Sequence, residues 1–153
     1  MNELTREFME KPARLQTAIR DQKEKILEIR LSALPRMRAY DAPLVQGSYQ
    51  GDRIERLVQA KIKAEDKLEE LLEERREALD QIRGLLDDLQ DAGEITPEER
   101  DVLALRYIKR RSFSWIAEKA GRSQATIFRR HRSGIQAIEK RIIDAYPAES
   151  VEN

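Results

Sequence analysis

The chain has 153 residues, with 29 basic and 29 acidic side chains, one histidine and no cysteine. The missing cysteines exclude a disulfide scaffold and a Cys-based zinc site, and no phosphate-binding glycine loop or nucleophile motif occurs. We therefore expect a protein that is not an enzyme, with no catalytic residues, no metal site and no cofactor. No apolar run could cross a bilayer and the first residues do not resemble a signal peptide, so we expect a soluble, cytoplasmic protein without a membrane partner.

The balanced charge conceals an asymmetry along the chain. Between Arg100 and Ile142 there are twelve basic and three acidic residues, a net charge of +9, whereas residues 1–99 carry −6. A local basic excess of this size is typical of proteins that bind a polyanion. The alternative at this point is a basic surface that is simply solvated.

The N-terminal third has the apolar periodicity of an amphipathic helix. Pro12 is predicted to start this helix and Pro35 to end it, since proline fits a first turn but breaks a helix interior. Apolar residues recur at helical spacing between these prolines, at Leu15, Ile19, Ile26 and Ile29. Residues 35–51 contain two prolines and two glycines and are predicted to form a loop.

A second, longer helix is predicted from an Asp52 cap to Ala92-Gly93. Its strictest apolar register is Leu68, Leu72, Leu79, Ile82, Leu86 and Leu89. Two such helices joined by a loop predict either an antiparallel hairpin or a coiled coil between chains, which would make a homo-oligomer. We assign residues 1–95 to this helical region.

Residues 96–146 carry the signals of a helix-turn-helix. Thr96-Pro97-Glu98-Glu99 is a strong helix start, because threonine caps, proline takes the first helical position and Glu99 completes a capping box. Two short helices are then predicted, capped by Ser112 and Ser123 and separated by a left-handed turn at Gly121. The second helix has an inner stripe of Ile127, His131, Ile135, Ile138 and Ile142. A generic helical pair is the alternative.

No strand pattern occurs, so the predicted fold is all-α, with a flexible tail at residues 147–153. The outward residues at the start of the second helix of the helix-turn-helix, after Ser123, are the candidate DNA contacts. This end of a recognition helix enters the major groove. Gln and Arg can each bond bidentately to a base edge. With nearby phosphate-binding arginines, the candidate site comprises Arg110, Arg111, Arg122, Ser123, Gln124, Ala125, Thr126, Phe128, Arg129, Arg130 and Arg132.

Three segments resemble the fourth conserved region of bacterial sigma factors: Glu99 to Tyr107, Ser112 to Ala117 and Gly121 to Ile127. That resemblance implies promoter or operator recognition in double-stranded DNA, with RNA polymerase as a further candidate partner. The sequence departs from the pattern at His131 and Gly134, where sigma-like proteins usually carry leucine and alanine. We expect the recognition helix to be less rigid beyond its first turns for this reason.

Nearly the whole chain resembles a family of small phage and prophage late-transcription regulators related to the ArpU-type group. The resemblance rests on the helical N-terminal half, the loop with Val45-Gln46-Gly47-Ser48, the Glu/Leu-rich helix and the sigma-like unit. It implies a sequence-specific transcription regulator in the cytoplasm of a bacterial host. Two alternatives remain: a DNA-packaging factor similar to a small terminase subunit, and a protein partner of RNA polymerase.

Overall fold

The computed structural model describes residues 1–38 and 47–145, and the only regular secondary structure in these residues is helical. The elements are α1 (Glu3–Arg38), α2 (Gly47–Asp91), α3 (Pro97–Leu103), a π-helical segment (Ala104–Ile108), α4 (Phe113–Ala120) and α5 (Gln124–Ala145). The predicted all-α class, with a helix-turn-helix after a long helical region, is confirmed. The predicted tail at 147–153 lies outside the described residues.

Helix α1 begins nine residues before the predicted start at Pro12. The side-chain oxygen of Asn2 accepts a hydrogen bond of 2.8 Å from the backbone N–H of Thr5, which caps the helix. Thr5, Met9 and Pro12 are then buried at intervals of three or four residues. The prediction was wrong because the Asn2 cap and the buried residues place the helix start upstream, and Pro12 is accommodated inside the helix.

Both long helices extend into the predicted loop at 35–51. Helix α1 passes Pro35 and ends at Arg38, and α2 begins at Gly47 rather than at the proposed Asp52 cap. A proline removes one backbone donor and a glycine costs about 1 kcal/mol relative to alanine, which are costs that a long helix can absorb. Residues 39–46 of the predicted loop lie outside the described residues.

Residues Leu15–Glu74 form one compact unit. Ile19, Ile26, Ala64 and Leu71 are buried in it. The side-chain amide of Gln22 donates a hydrogen bond of 2.8 Å to the carbonyl oxygen of Ala64, so α1 and α2 lie side by side here.

The buried register of α2 differs from the predicted one. Leu71 is 7% exposed, whereas Leu72, which was predicted for the seam, is 38% exposed. Further along the helix, Ala78 is buried and Leu79 is only half-buried. The buried positions 64, 71 and 78 repeat every seven residues, and two of them are alanines, which the predicted apolar register did not include.

The second unit comprises Met1–Arg14 and Arg75–Asn153. Its larger core combines residues that are distant in sequence: Met9, Ile82, Leu86, Leu89, Ile95, Leu103, Ile135 and Ile138. The structure therefore divides the chain into two units at other positions than the predicted boundary between residues 95 and 96. The physical reason is that apolar residues of α3 and α5 are buried against the first turns of α1 and the last turns of α2.

A tight turn joins α2 to α3. Gly93 has a φ of +72°, a left-handed conformation that glycine adopts without strain. The backbone N–H of Glu94 donates to the carbonyl oxygen of Leu89 at 2.9 Å, which closes the end of α2. The predicted end of this helix at Ala92-Gly93 is confirmed, and the turn fixes where the helix-turn-helix starts.

Candidate nucleic-acid interface

Helix α3 begins as predicted. The Thr96 side chain accepts a hydrogen bond of 3.2 Å from the backbone N–H of Glu99, and Pro97 is the first helical residue. The helix then changes to π-helical winding at Ala104, which the sequence did not predict. Such segments are frequent at functional sites, and this one carries Arg106 and Tyr107 towards the helices that follow.

The helix-turn-helix consists of α4, the turn at Gly121 and α5. The Ser112 hydroxyl accepts from the backbone N–H of Trp115 at 3.1 Å, and the Ser123 hydroxyl accepts from that of Thr126 at 3.2 Å. Gly121 has a φ of +64°, as the left-handed turn requires. All three predicted signals are confirmed.

A second buried cluster holds the two helices together. It contains Val102, Ile116, Ala117 and Ile127, with Leu105 and Phe113 packed at its edge. Ala117, a small residue that was predicted to face inward, is buried in this cluster. The inner stripe of α5 continues through buried Ile135 and Ile138, as predicted, with Ile142 partly buried.

His131 lies on this inner stripe and is half-buried. Its Nε2 atom is 2.8 Å from the hydroxyl oxygen of Tyr107, and the two rings stack with centroids 5.7 Å apart. Burial, and then the positive charge of Arg106, lower the pKa of His131 below its ordinary value of 6.5. Burial raises the pKa of Tyr107 above 10.0. Both side chains are therefore uncharged near neutral pH.

The structure explains the glycine at position 134, which the sequence did not. A Cβ atom at this position would lie 2.6 Å from Cδ1 of Leu103, which is fully buried in α3. Glycine at this position therefore permits the close approach of α5 to α3, and a larger residue would displace Leu103. The expected loss of rigidity at His131 and Gly134 remains untested, but both residues make specific packing contacts.

The first turns of α5 present the predicted outward residues on the surface. Ser123, Gln124, Ala125, Phe128, Arg129 and Arg132 are exposed, whereas Thr126 and Arg130 are half-buried. Two long side chains are held by neighbours. The Gln124 amide donates to the Ser114 hydroxyl at 3.2 Å, and the Arg129 guanidinium donates to the Thr126 hydroxyl at 3.3 Å. Their proposed contacts with DNA bases remain predictions.

The predicted phosphate-binding residues Arg110, Arg111 and Arg122 lie in the segments on either side of α4. Arg110 is exposed and has a φ of +57°, which is uncommon for a residue with a side chain. The guanidinium of Arg111 lies 4.7 Å from the ring centroid of Trp115, a cation–π contact at the surface. Arg122 is exposed in the turn after Gly121.

Phe113, at the start of α4, joins the π-helical segment to α5. The Arg106 guanidinium lies 4.4 Å from the centroid of its ring, and the centroids of Phe128 and His131 lie 4.9 and 5.0 Å away. Sequence reasoning did not single out Phe113 or Arg106. The phenylalanines at positions 113 and 128 were the available sequence signal for this contact. The π-helical winding that brings Arg106 to Phe113 could not be predicted from the sequence.

Some of the basic excess is neutralised within the protein. Arg100 donates to the carboxylate of Asp87 on α2, and Arg141 lies 3.2 Å from that of Glu94. Among the described residues, no carboxylate lies within 4.0 Å of Arg110, Arg111, Arg122, Arg129, Arg130 or Arg132, all of which are exposed or half-buried. The uncompensated charge is therefore concentrated around the turn and the first half of α5.

Residues 93–140 match the family model described as Sigma-70, region 4. This segment is a sigma region 4-like helix-turn-helix. The match extends from the turn before α3 into α5, so the region 4-like segment contains the whole exposed surface described above and indicates a DNA-binding domain. No curated protein and no solved structure matched the chain. The wider resemblance to ArpU-type phage proteins remains a prediction.

Within the described ranges, 1–38 and 47–145, no group of three or more histidine or carboxylate side chains is arranged to hold a metal ion. No helix within the same ranges combines the length and apolar character needed to span a membrane.

Proposed function

We propose that this chain is a non-enzymatic transcription regulator, derived from a phage, that binds duplex DNA sequence-specifically through the first turns of α5. The observation that carries the proposal is the exposed basic surface at the start of α5, inside a region 4-like helix-turn-helix. The sequence resemblance to ArpU-type regulators supports the phage origin and the role in transcription.

Charge supports the DNA-binding part of this proposal. Arg110, Arg122, Arg130 and Arg132 have no carboxylate partner among the described residues, so their charges remain available for phosphates. Each phosphate that is neutralised releases counterions, which supplies affinity without sequence preference. Arg100 and Arg141 are already paired with Asp87 and Glu94, so we expect them to contribute less.

The chemistry of the outward residues supports sequence preference. Gln124 and Arg129 lie in the first two turns of α5, where a recognition helix reaches base edges. Glutamine can form two hydrogen bonds with adenine and arginine two with guanine. The hydrogen bonds with Ser114 and Thr126 restrain these side chains before DNA arrives and so lower the entropic cost of binding.

The proposal includes self-association through the unit formed by Leu15–Glu74. Five large apolar side chains on this unit are about half exposed: Leu27, Leu31, Ile54, Val58 and Ile62. A second copy of the chain could cover them, and a dimer would suit a DNA target with two half-sites. Light scattering of the full chain tests this part, and a strictly monomeric protein contradicts it.

The same measurement addresses the two alternatives. A closed ring of many subunits favours a DNA-packaging factor over a regulator. A monomer that co-purifies with RNA polymerase, and does not bind DNA by itself, favours a polymerase partner that uses the helix-turn-helix as a protein-binding surface.

Selection of bound sequences from a random pool of duplex DNA, with the full chain, tests the proposed function. We expect a short preferred sequence, and an affinity that falls steeply with salt, with a log–log slope of about −0.9 per phosphate contact. Recovery of a random pool, or binding that does not depend on salt, contradicts the proposal.

A further inference from the structure

Phe128 is a large apolar side chain in the middle of a polar surface. It is 44% exposed and is the fifth residue of α5. Residues four apart lie on one side of a helix, so Gln124, Phe128 and Arg132 form a line along its exposed surface. The exposed part of this ring is apolar area that a partner could bury.

The Phe128 ring is held in place by packing against Phe113 of α4. Its centroid lies 4.9 Å from that of Phe113, with the two rings tilted by 54°. Phe113 is itself fixed by the guanidinium of Arg106 above its ring and by an edge contact with His131. One side of the Phe128 ring is therefore packed, and its exposed side keeps a defined position on α5.

The neighbours of the ring decide what could cover it. Arg129 and Arg132 are adjacent and positively charged, and Gln124 offers both a donor and an acceptor. An apolar protein groove would have to bury these arginines, which is costly without carboxylate partners. The DNA major groove instead offers phosphates and base edges beside one exposed apolar group, the 5-methyl of thymine.

We propose that Phe128 contacts the 5-methyl group of a thymine in the major groove, and that Phe113 is the positioning residue that holds the ring there. This inference rests on the proposed function. It adds a base preference that hydrogen-bonding side chains do not supply, because the contact recognises a methyl group and not a donor or acceptor.

Replacing thymine by uracil removes only this methyl group and is the direct test. The full chain and its Phe128→Ala variant are titrated with the duplex selected from the random pool, with each thymine replaced in turn. We expect one replacement to weaken the binding of the unchanged protein about three- to fivefold, the factor expected from one buried methyl group. The same replacement should leave the affinity of Phe128→Ala unchanged.

Two further variants separate positioning from folding. Phe113→Leu keeps an apolar side chain at the core edge, and we expect it to reduce the thymine–uracil difference while the helical content stays the same. Gln124→Ala serves as the matched control, since it should weaken binding yet preserve the thymine–uracil difference.

Several results would overturn the inference while leaving the proposed function intact. These are a selected site without thymine, equal affinity for every uracil duplex, or a thymine–uracil difference that persists in Phe128→Ala. Loss of a protein partner in Phe128→Ala, with unchanged DNA binding, would also overturn it and assign the ring to a protein interface. If no preferred sequence is selected at all, the proposed function fails and this inference fails with it.

Discussion

The hydroxyl oxygen of Tyr107 lies 2.8 Å from Nε2 of His131, and this contact joins the π-helical segment to the middle of the recognition helix. Both side chains are half-buried. Burial, and then the positive charge of Arg106, lower the pKa of His131 and so disfavour a charged imidazole. The resemblance to sigma-like proteins predicts a leucine at this position. The histidine thus adds a polar contact and a titratable group at a position that is otherwise part of a core.

The first prediction concerns pH. Because the pKa of His131 is lower in the folded protein than 6.5, the unfolded chain binds more protons in the range just below pH 6.5. The free energy of unfolding should therefore be highest above pH 6.5 and should fall as the pH drops through the range between the two pKa values. Urea unfolding measured between pH 7.5 and 5.5 checks this.

The control for that measurement is His131→Gln, which removes the only histidine of the chain. Its unfolding free energy should change much less over the same pH interval. Parallel pH profiles of the two proteins would show that other groups cause the effect, against our interpretation of His131.

The second prediction concerns the glycine between α3 and α5. Gly134→Ala places a Cβ atom 2.6 Å from Cδ1 of the buried Leu103, so we expect a loss of about 1–3 kcal/mol in unfolding free energy. Gly84→Ala is the matched control, because a Cβ there has no neighbour within 4 Å. In the interior of α2 that alanine should stabilise the protein by up to about 1 kcal/mol. Thermal unfolding of both variants measures these changes. Equal changes in stability would contradict the close approach of position 134 to Leu103.

The third prediction links the start of the chain to the helix-turn-helix. Met9 is 1% exposed and belongs to the same core as Leu103, Ile135 and Ile138. Met9→Ala should lower the unfolding free energy of the helix-turn-helix by about 2–5 kcal/mol. Leu4→Ala, on the same helix at 56% exposure, should change it by less than about 0.5 kcal/mol.

The measurement is urea unfolding followed through the fluorescence of Trp115, the single tryptophan, in α4. Identical unfolding curves for Met9→Ala and Leu4→Ala would contradict the burial of Met9 in the core that contains Leu103. For the same reason we expect a fragment starting at Thr96 to be poorly folded, since it lacks Met9, Ile82 and Leu86, and DNA-binding experiments need the full chain.

Local signals in the sequence were sufficient to predict the helix-turn-helix. A cap such as Ser112 or Ser123 depends on a backbone N–H three residues away, and the turn at Gly121 depends on one residue. Packing between distant segments was not predictable in this way. Nothing near Met9 in the sequence shows that it is buried with Leu103, and the apolar pattern of α2 did not distinguish Leu71 from Leu72.

The candidate site was predictable to a similar degree. Helical spacing placed Gln124, Phe128, Arg129 and Arg132 on the outside of α5, and they are exposed there. The contacts that restrain them were missed. Gln124 is held by Ser114, and Phe128 packs on Phe113. Phe113 in turn contacts Arg106 of the π-helical segment, whose winding the sequence did not predict.

The central claim is that the first turns of α5 read base sequence while the surrounding arginines bind phosphates. The most direct test compares the affinities of Arg129→Ala, Gln124→Ala and Arg122→Ala for the selected duplex and for a scrambled duplex. We predict that the first two variants lose about 1–3 kcal/mol of discrimination between the duplexes. Arg122→Ala should weaken binding to both equally and reduce the salt slope by about one. If Arg129→Ala and Gln124→Ala weaken both duplexes equally while Arg122→Ala alters discrimination, the placement of α5 in the major groove is contradicted.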